Sequence, residues 1–239
     1  MAKRGGKKHV KRMAAPKAIP IHDKKETVWL VGTSPGPHAN KHSIPLTVLL
    51  RDILKVAKTS REAKRILANR MVEVDRRVRT SEKFPVGLMD VVSIPKSGKH
   101  YRILVDHKGK LLPVEIGEKD SSKKLVKVIK KHTIKGGKLN ITFHDGKNLL
   151  ADNHMKVGDT ALVSLPNTKI EQHIKRDTGI QCLIMEGKHA GNLVKLKEII
   201  QRKGGKPSEA LVEDKAGKEF VTVANYLFVV GQNLEGEAA

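Results

Sequence analysis

Apolar residues early in the chain recur at helical spacing, and from about residue 99 onward they come in short runs separated by turn residues. Leu46, Leu49, Leu50, Ile53, Leu54 and Ala57 lie three or four positions apart, which predicts a helix opened by Pro45 and Thr47. Thr59 with Glu62 three residues on has the form of a capping box, so a second helix is expected to start there. At about 100° per residue, Ala63, Ile66 and Leu67 share one side of that helix, while Arg61, Lys64 and Arg65 share the other. Such a helix buries one face in a small core and offers the opposite face to a polyanion. Val72 to Val74, a charged turn at Asp75-Arg76-Arg77 and then Val78 follow, and Val91, Val92 and Ile94 predict a strand ended by Pro95.

Short strands are expected over 101–105, 111–116, 124–134, 139–143 and 160–165. Asp106-His107-Lys108-Gly109 and Lys135-Gly136-Gly137-Lys138 have the residues that hairpin turns require. From about Gly179 a strand over 181–185 turns through residues 186–191 and resumes over 193–196. Gly187 and Gly191 allow a tight turn at positive φ with Lys188 and His189 at its tip. Further turns continue the rhythm, which reads as a small barrel of the SH3 type.

Charge sharpens this picture. The chain has 239 residues with 47 Lys and Arg against 25 Asp and Glu, a formal net charge of +22. Self-repulsion of that size is usually relieved by a polyanionic partner, with nucleic acid the first candidate. No apolar run approaches the roughly 20 residues of a membrane-spanning helix, and no apolar segment follows the basic N-terminus as a secretory signal requires. Four Phe, two Tyr and one Trp are too few for a base-stacking platform, which leaves phosphates, 2′-hydroxyls and helix shape as the recognised features. The single Cys182 excludes a disulfide framework and a cysteine zinc site, and fits an intracellular, reducing compartment. A hydrophobic fraction of 38% suits several small modules better than one large core.

Residues 1–20 carry Lys3, Arg4, Lys7, Lys8, Lys11, Arg12 and Lys17 with no acid, and glycines and prolines between them. This predicts an arm that is disordered in isolation and orders on nucleic acid, the alternative being a solubilising tail. Residues 31–45 read as an extended loop from which His38, Asn40, Lys41 and His42 reach phosphates. The prolines there argue against a helical metal site at His38 and His42. Lys123, Lys124, Lys127, Lys130 and Lys131 form either a solvated strand face or an RNA contact. No HExxH, GxSxG or P-loop motif is present. Asp90 reads as a strand-start carboxylate rather than a lone catalytic acid.

Two motifs converge on a family. Leu50, Arg51, Ala57, Ser60, Arg61, Ala63, Ile66, Leu67, Val72, Val74, Val78, Val86 and Asp90-Val91 resemble the S4-like RNA-binding domain, an α-α-β fold. One departure is Arg76, which stands where that domain usually has its turn glycine. Residues 182–196 resemble a KOW motif, with Gly187 and Gly191 in its expected places. With the basic arm, Gly5-Gly6-Lys7-Lys8-His9 and the segment Asn225-Tyr226-Leu227-Phe228-Val229-Val230-Gly231, the whole chain resembles the archaeal and eukaryotic ribosomal protein S4e family, in its short archaeal form.

The resemblance implies an α+β multidomain fold. Its parts would be a disordered basic N-terminal arm and loop (1–42), an S4-like domain (43–95), a central β-rich domain (96–175) and a C-terminal SH3-like KOW barrel with tail (176–239). It implies a non-enzymatic, cytoplasmic component of the small ribosomal subunit, with small-subunit ribosomal RNA and neighbouring ribosomal proteins as partners. No membrane, metal, cofactor or small-molecule substrate is expected. RNA contacts are expected from the arm cations, from Lys41 and His42, and from Arg51, Lys55, Lys58, Ser60, Arg61, Lys64, Arg65, Arg70, Arg76, Arg77 and Arg79. Lys188 and His189 of the KOW turn would dock at a second surface. Two other classes are weighed beside it: an RNA-modifying enzyme that uses the S4-like domain as a handle, and a KOW-type factor that cycles on and off its target. Residues 96–178 offer the enzyme no convincing catalytic acid.

Overall fold

The structure is a computed structural model that describes residues 10–21, 25–150, 154–202 and 204–231. Lys3, Arg4, Lys7 and Lys8 lie outside the described residues. The fold is α+β, mostly antiparallel sheet with little helix.

The chain opens with β1 (Val10–Lys11), which pairs with β2 (Trp29–Leu30). Residues 10–21 are therefore not a free arm, as the charge count had suggested. Ala18 and Ile19 are buried, and the Leu111 amide donates to the Ala18 carbonyl at 2.8 Å. Arg12 is itself buried, donating to Thr27 Oγ1 at 2.8 Å and to Glu26 at 3.0 Å. Enough apolar surface sits between the cations to hold this segment on the core.

Next come β3 (Ser43–Pro45), α1 (Leu46–Val48), a π-wound turn over Leu49–Ile53, and α2 (Ser60–Ala68). The first helix thus ends before Ala57, where a longer one is expected. The Leu54 amide reaches the Leu49 carbonyl at 2.9 Å, a bond spanning five residues, and Lys55 then takes φ 53°. The widened turn keeps Leu46, Leu49 and Leu50 fully buried while Ala57 still packs inside.

Strands β4 (Glu73–Val74), β5 (Arg77–Val78), β6 (Pro85–Gly87), β7 (Val91–Ile94), β8 (Lys99–Val105) and β9 (Leu111–Ile116) follow. β6 pairs with β3, and the others form one sheet in the order β5-β4-β7-β8-β9. The domain boundary expected at residues 95 and 96 falls inside this sheet. Pro95 ends β7, but the turn Pro95–Ser97 and Gly98 at φ 62° bring β8 straight back onto it.

The central sheet holds β10 (Lys123–Thr133), β11 (Leu139–Phe143), β12 (Asn148–Leu150), β13 (Thr160–Ser164) and β14 (Lys169–Ile174), in the order β12-β11-β10-β13-β14. The C-terminal sheet holds β15 (Gln181–Ile184), β16 (Leu193–Ile200), β17 (Glu209–Asp214), β18 (Glu219–Val223) and β19 (Leu227–Val229), in the order β18-β17-β16-β15-β19.

These parts are not beads on a string. One apolar core runs from Ala18 through Leu50, Leu67, Ile103 and Cys182 to Val230, and a smaller one gathers Val126, Val128, Ile141, Phe143, Met155, Ala161 and Val163 under the central sheet.

A buried charge cluster joins the parts as well. Lys124 Nζ is wholly enclosed and donates to Asp75 at 2.8 Å, Asp90 at 2.6 Å and Asp145 at 3.3 Å. Lys147 reaches Asp75 at 3.1 Å, and His38 Nε2 lies 3.0 Å from the Asp90 carboxylate. The His38 ring lies against Gly87, where a Cβ would meet it at 2.4 Å. Burial alone would push the Asp90 carboxyl up, but the charges of His38 and Lys124 outweigh it and hold the group well below the usual range. Burial likewise opposes the charge on Lys124, and Asp90, Asp75 and Asp145 more than restore it.

Two of the strand lysines expected on a solvated or RNA-facing surface are thus interior. Lys124 is in the cluster, and Lys127 is buried with its Nζ donating to the Asn225 carbonyl at 2.7 Å, its pKa pushed down to about 8 by burial and by Arg176. Lys123 pairs with Glu171 at 2.9 Å.

Candidate nucleic-acid interface

The helix α2 begins as its sequence dictates. Thr59 Oγ1 accepts the Glu62 amide at 3.2 Å, and the Glu62 carboxylate accepts the Lys58 amide at 2.8 Å, one residue before the usual capping-box partner. Ala63 and Leu67 are buried, with Ile66 half-buried beside them. Arg61, Lys64 and Arg65 are exposed on the opposite side. The helix closes with the Arg70 amide on the Leu67 carbonyl (3.0 Å) and the Met71 amide on the Ile66 carbonyl (3.3 Å), a Schellman arrangement.

Arg70 occupies the left-handed position of that motif at φ 57°, where glycine is usual. Lys55 does the same at φ 53°. A side chain there costs about 1 kcal/mol relative to glycine. Both positions spend that stability on an exposed cation. Lys55, Lys58, Arg61, Lys64, Arg65 and Arg70 form a run of exposed cations, none of which has an ion pair among the described residues.

Other residues expected at this interface have partners within the chain. Arg51 grips Asp52 through two bonds of 2.5 and 2.8 Å and donates to Ser60 Oγ at 2.6 Å, tying the π-wound turn to the start of α2. Its pKa is raised, chiefly by the bond to Asp52. Asp75 and Arg76 both have positive φ, 54° and 59°, as a two-residue hairpin between β4 and β5 requires. Arg76 donates to Ser121 Oγ at 2.5 Å, and Arg77, which is exposed, reaches the Pro166 carbonyl at 3.3 Å. The Arg79 guanidinium lies 4.4 Å from the Phe84 ring centroid.

Lys11, Lys17 and Lys41 are exposed away from α2 in sequence, as is His42, whose Nδ1 sits 3.3 Å from Glu186. In the turn of residues 186–191, Gly187 and Gly191 take φ 99° and 83°. A Cβ on Gly191 would meet the Asp106 carbonyl carbon at 2.6 Å, so this turn packs directly on the β8–β9 turn. His189 stacks on Phe220 with centroids 4.2 Å apart, which leaves Lys188 as the exposed cation of the pair. The cluster of His38, Asp90 and Lys124 escaped sequence reasoning. The available signal was that Lys124 is in phase with Val126 and Val128 along one strand.

No helix among the described residues is long and apolar enough to cross a membrane, and no group of His, Cys, Asp and Glu among them could hold a metal ion.

Residues 97–170 match the model of the Ribosomal family S4e, and residues 4–41 match that of the RS4NT domain. The small ribosomal subunit protein eS4 of Methanosphaera stadtmanae is 50% identical over 233 residues, covering 98% of this chain and 96% of the relative. The protein of the same name from Methanothermobacter thermautotrophicus is 43% identical over 233 residues, covering 98% and 96%. The crystal structure of the 30S ribosomal protein S4e from Thermoplasma acidophilum superposes with a TM-score of 0.69 at 34% identity, covering 80% of this chain and 95% of that one. By fold and by sequence along nearly its whole length, this chain belongs to the ribosomal protein S4e family.

Proposed function

We propose that the protein is a structural component of the small ribosomal subunit in the cytoplasm, binding small-subunit ribosomal RNA and neighbouring ribosomal proteins without catalysing a reaction. The observation that carries the RNA reading is the run of exposed cations from Lys55 to Arg70, of which Arg61, Lys64 and Arg65 stand on α2 opposite its buried face and Lys55, Lys58 and Arg70 flank its ends. Membership of a ribosomal family weighs against the RNA-modifying enzyme.

The α2 face lies along RNA backbone, where Arg61, Lys64 and Arg65 contact phosphates and fix orientation. RNA shape supplies most of the specificity, because the A-form major groove is too narrow for side chains to read. In this reading residues 43–95 are the S4-like unit, lengthened by β8 and β9, and the C-terminal sheet is the SH3-like KOW barrel. The N-terminal cations and Lys188 add contacts at the edges. Because one core joins the described parts, the contacts from Lys11 and Lys17, from α2 and from Lys188 act as a single surface rather than as independently tethered modules.

Charge reversal of Arg61, Lys64 and Arg65 together tests the assignment. Binding to small-subunit ribosomal RNA should weaken about tenfold or more, with a shallower dependence on salt. Circular dichroism should be unchanged, since none of the three side chains is buried. Wild-type affinity in the folded variant would remove this face from the interface.

A further inference from the structure

The strand β10 outlasts the core that it serves. Val126 and Val128 are fully buried, but the ladder to β11 then shifts register between Val128 and Lys130. Beyond that bulge Ile129 is 54% exposed, and residues 130–138 are exposed except for half-buried Lys131, whose Nζ donates to the Met155 carbonyl at 3.0 Å. Pairing nonetheless continues through Lys130 with Thr142, Lys131 with Ile141, His132 with Asn140, and Thr133 with Leu139. The Ile134 amide donates to Lys138 at 2.9 Å, and Gly136 and Gly137 turn the chain at φ 88° and 71°. A Cβ on either glycine would meet nothing within 4 Å, so the tip points into open space.

This ribbon carries Lys130, Lys131, Lys135 and Lys138, and no acid occurs between Val128 and His144. Lys130, Lys135 and Lys138 have no ion pair among the described residues. A projecting two-stranded ribbon gains little from burial, and like charges along it repel. The feature makes physical sense when something outside the chain neutralises it.

We propose that residues 129–139 form a second RNA-binding element, remote in sequence from α2, that lays its lysines along ribosomal RNA backbone. The inference rests on the reading of the protein as a ribosomal RNA binder. Polyanion is favoured over a protein neighbour by the uncompensated charge and by the polar outer face, where His132 meets Asn140 at 3.3 Å and Thr142 donates to Asn148 at 2.6 Å. The ribbon has no Phe, Tyr or Trp, and its one ring, His132, is engaged with Asn140, so it offers no stacking platform for successive bases. The contacts are therefore to phosphates and to 2′-hydroxyls across the wide minor groove, and the glycines let the tip backbone approach closely.

The test neutralises the ribbon in the full-length protein as Lys130→Gln, Lys135→Gln and Lys138→Gln combined. Binding to small-subunit ribosomal RNA is measured across a salt series beside the wild type and the α2 charge-reversal variant. The ribbon variant should lose about tenfold in affinity, and its log–log salt slope should fall by roughly 2, since each phosphate contact contributes about 0.7–0.9. Wild-type affinity and slope in the ribbon variant, with the α2 variant weakened, would overturn the ribbon and leave the function standing. A wild type that fails to bind would overturn both.

A second measurement identifies what the tip touches. Cys182 is buried and its thiol is pushed up to about 12 by burial, so a Lys135→Cys variant offers one reactive site for a tethered iron chelate. In small subunits assembled with that protein, radical cleavage of the ribosomal RNA backbone supports the proposal. Cleavage confined to a neighbouring protein, or of nothing at all, overturns it.

Discussion

Replacing Lys124 by Met should lower the stability of the fold by about 3–5 kcal/mol, the usual cost of stripping one partner from a buried ion cluster. Lys124 is the only wholly enclosed cation in contact with Asp75, Asp90 and Asp145 among the described residues. Methionine fills the same space but leaves those carboxylates facing one another, with only Lys147 and His38 beside them. Each carboxylate also holds backbone: Asp75 accepts the Val91 amide, Asp90 the Gly87 amide and Asp145 the Lys147 amide. The strain therefore spreads into β6, β7 and the β11–β12 turn. Urea denaturation followed by circular dichroism measures the effect. Adding Asp90→Asn to Lys124→Met should recover part of the loss by removing a charge that has lost its partner. A Lys124→Met protein with an unchanged urea midpoint would show that the cluster is dispensable.

Acid should weaken the fold well before its carboxylates titrate, because of His144. Its Nδ1 accepts the Lys127 amide at 3.2 Å and its Nε2 donates to the Leu88 carbonyl at 3.1 Å, which assigns the neutral tautomer. His38 and Phe228 flank the ring at 5.8 and 5.4 Å. Burial, reinforced by the charges of Lys124 and His38, pushes its pKa down to about 4 from the ordinary 6.5. Between those values the unfolded chain binds a proton that the folded chain refuses, so stability falls as pH falls through the window. The full loss is on the order of 3 kcal/mol. Below about pH 4 a second loss begins, because Asp90 and Asp145 are held below the carboxylate range only in the folded state. Their contribution is present above the unfolded pKa and disappears as they are forced to protonate. Thermal melts from pH 7.5 to 4.5 should slope steeply in the wild type and less in His144→Gln. Parallel slopes in the two proteins would mean that the destabilising proton binds elsewhere.

Local signals in the sequence carried a good part of the structure. The capping box, the buried and cationic faces of α2, and the glycine turns at Gly109 and Gly136-Gly137 depend on neighbours within a few residues, and the chain displays them directly. What stayed hidden depends on partners far along the chain. Nothing near Pro95 tells that β8 will return onto β7, or that β9 will hold residue 18.

Charge misled most where a cation proved interior. Lys124 and Arg12 look like surface residues until their distant acids are known, Asp75, Asp90 and Asp145 for one and Glu26 for the other. Intrachain partners at the interface were equally hidden: Arg51, Arg76, His42 and His189, expected from the resemblance to contact RNA, also touch Asp52, Ser121, Glu186 and Phe220 of their own chain. The cations at left-handed positions, Lys55 and Arg70, became informative only once φ was known.

A lasting part of the small subunit stays bound to it in salt that strips off cycling factors. Sedimentation of the native protein from a lysate through a high-salt sucrose gradient tests this retention most directly. Comigration with small subunits in stoichiometric amount is the predicted result. Recovery in the light fractions, with small subunits free of it, would contradict the account and favour a factor that cycles on and off its target.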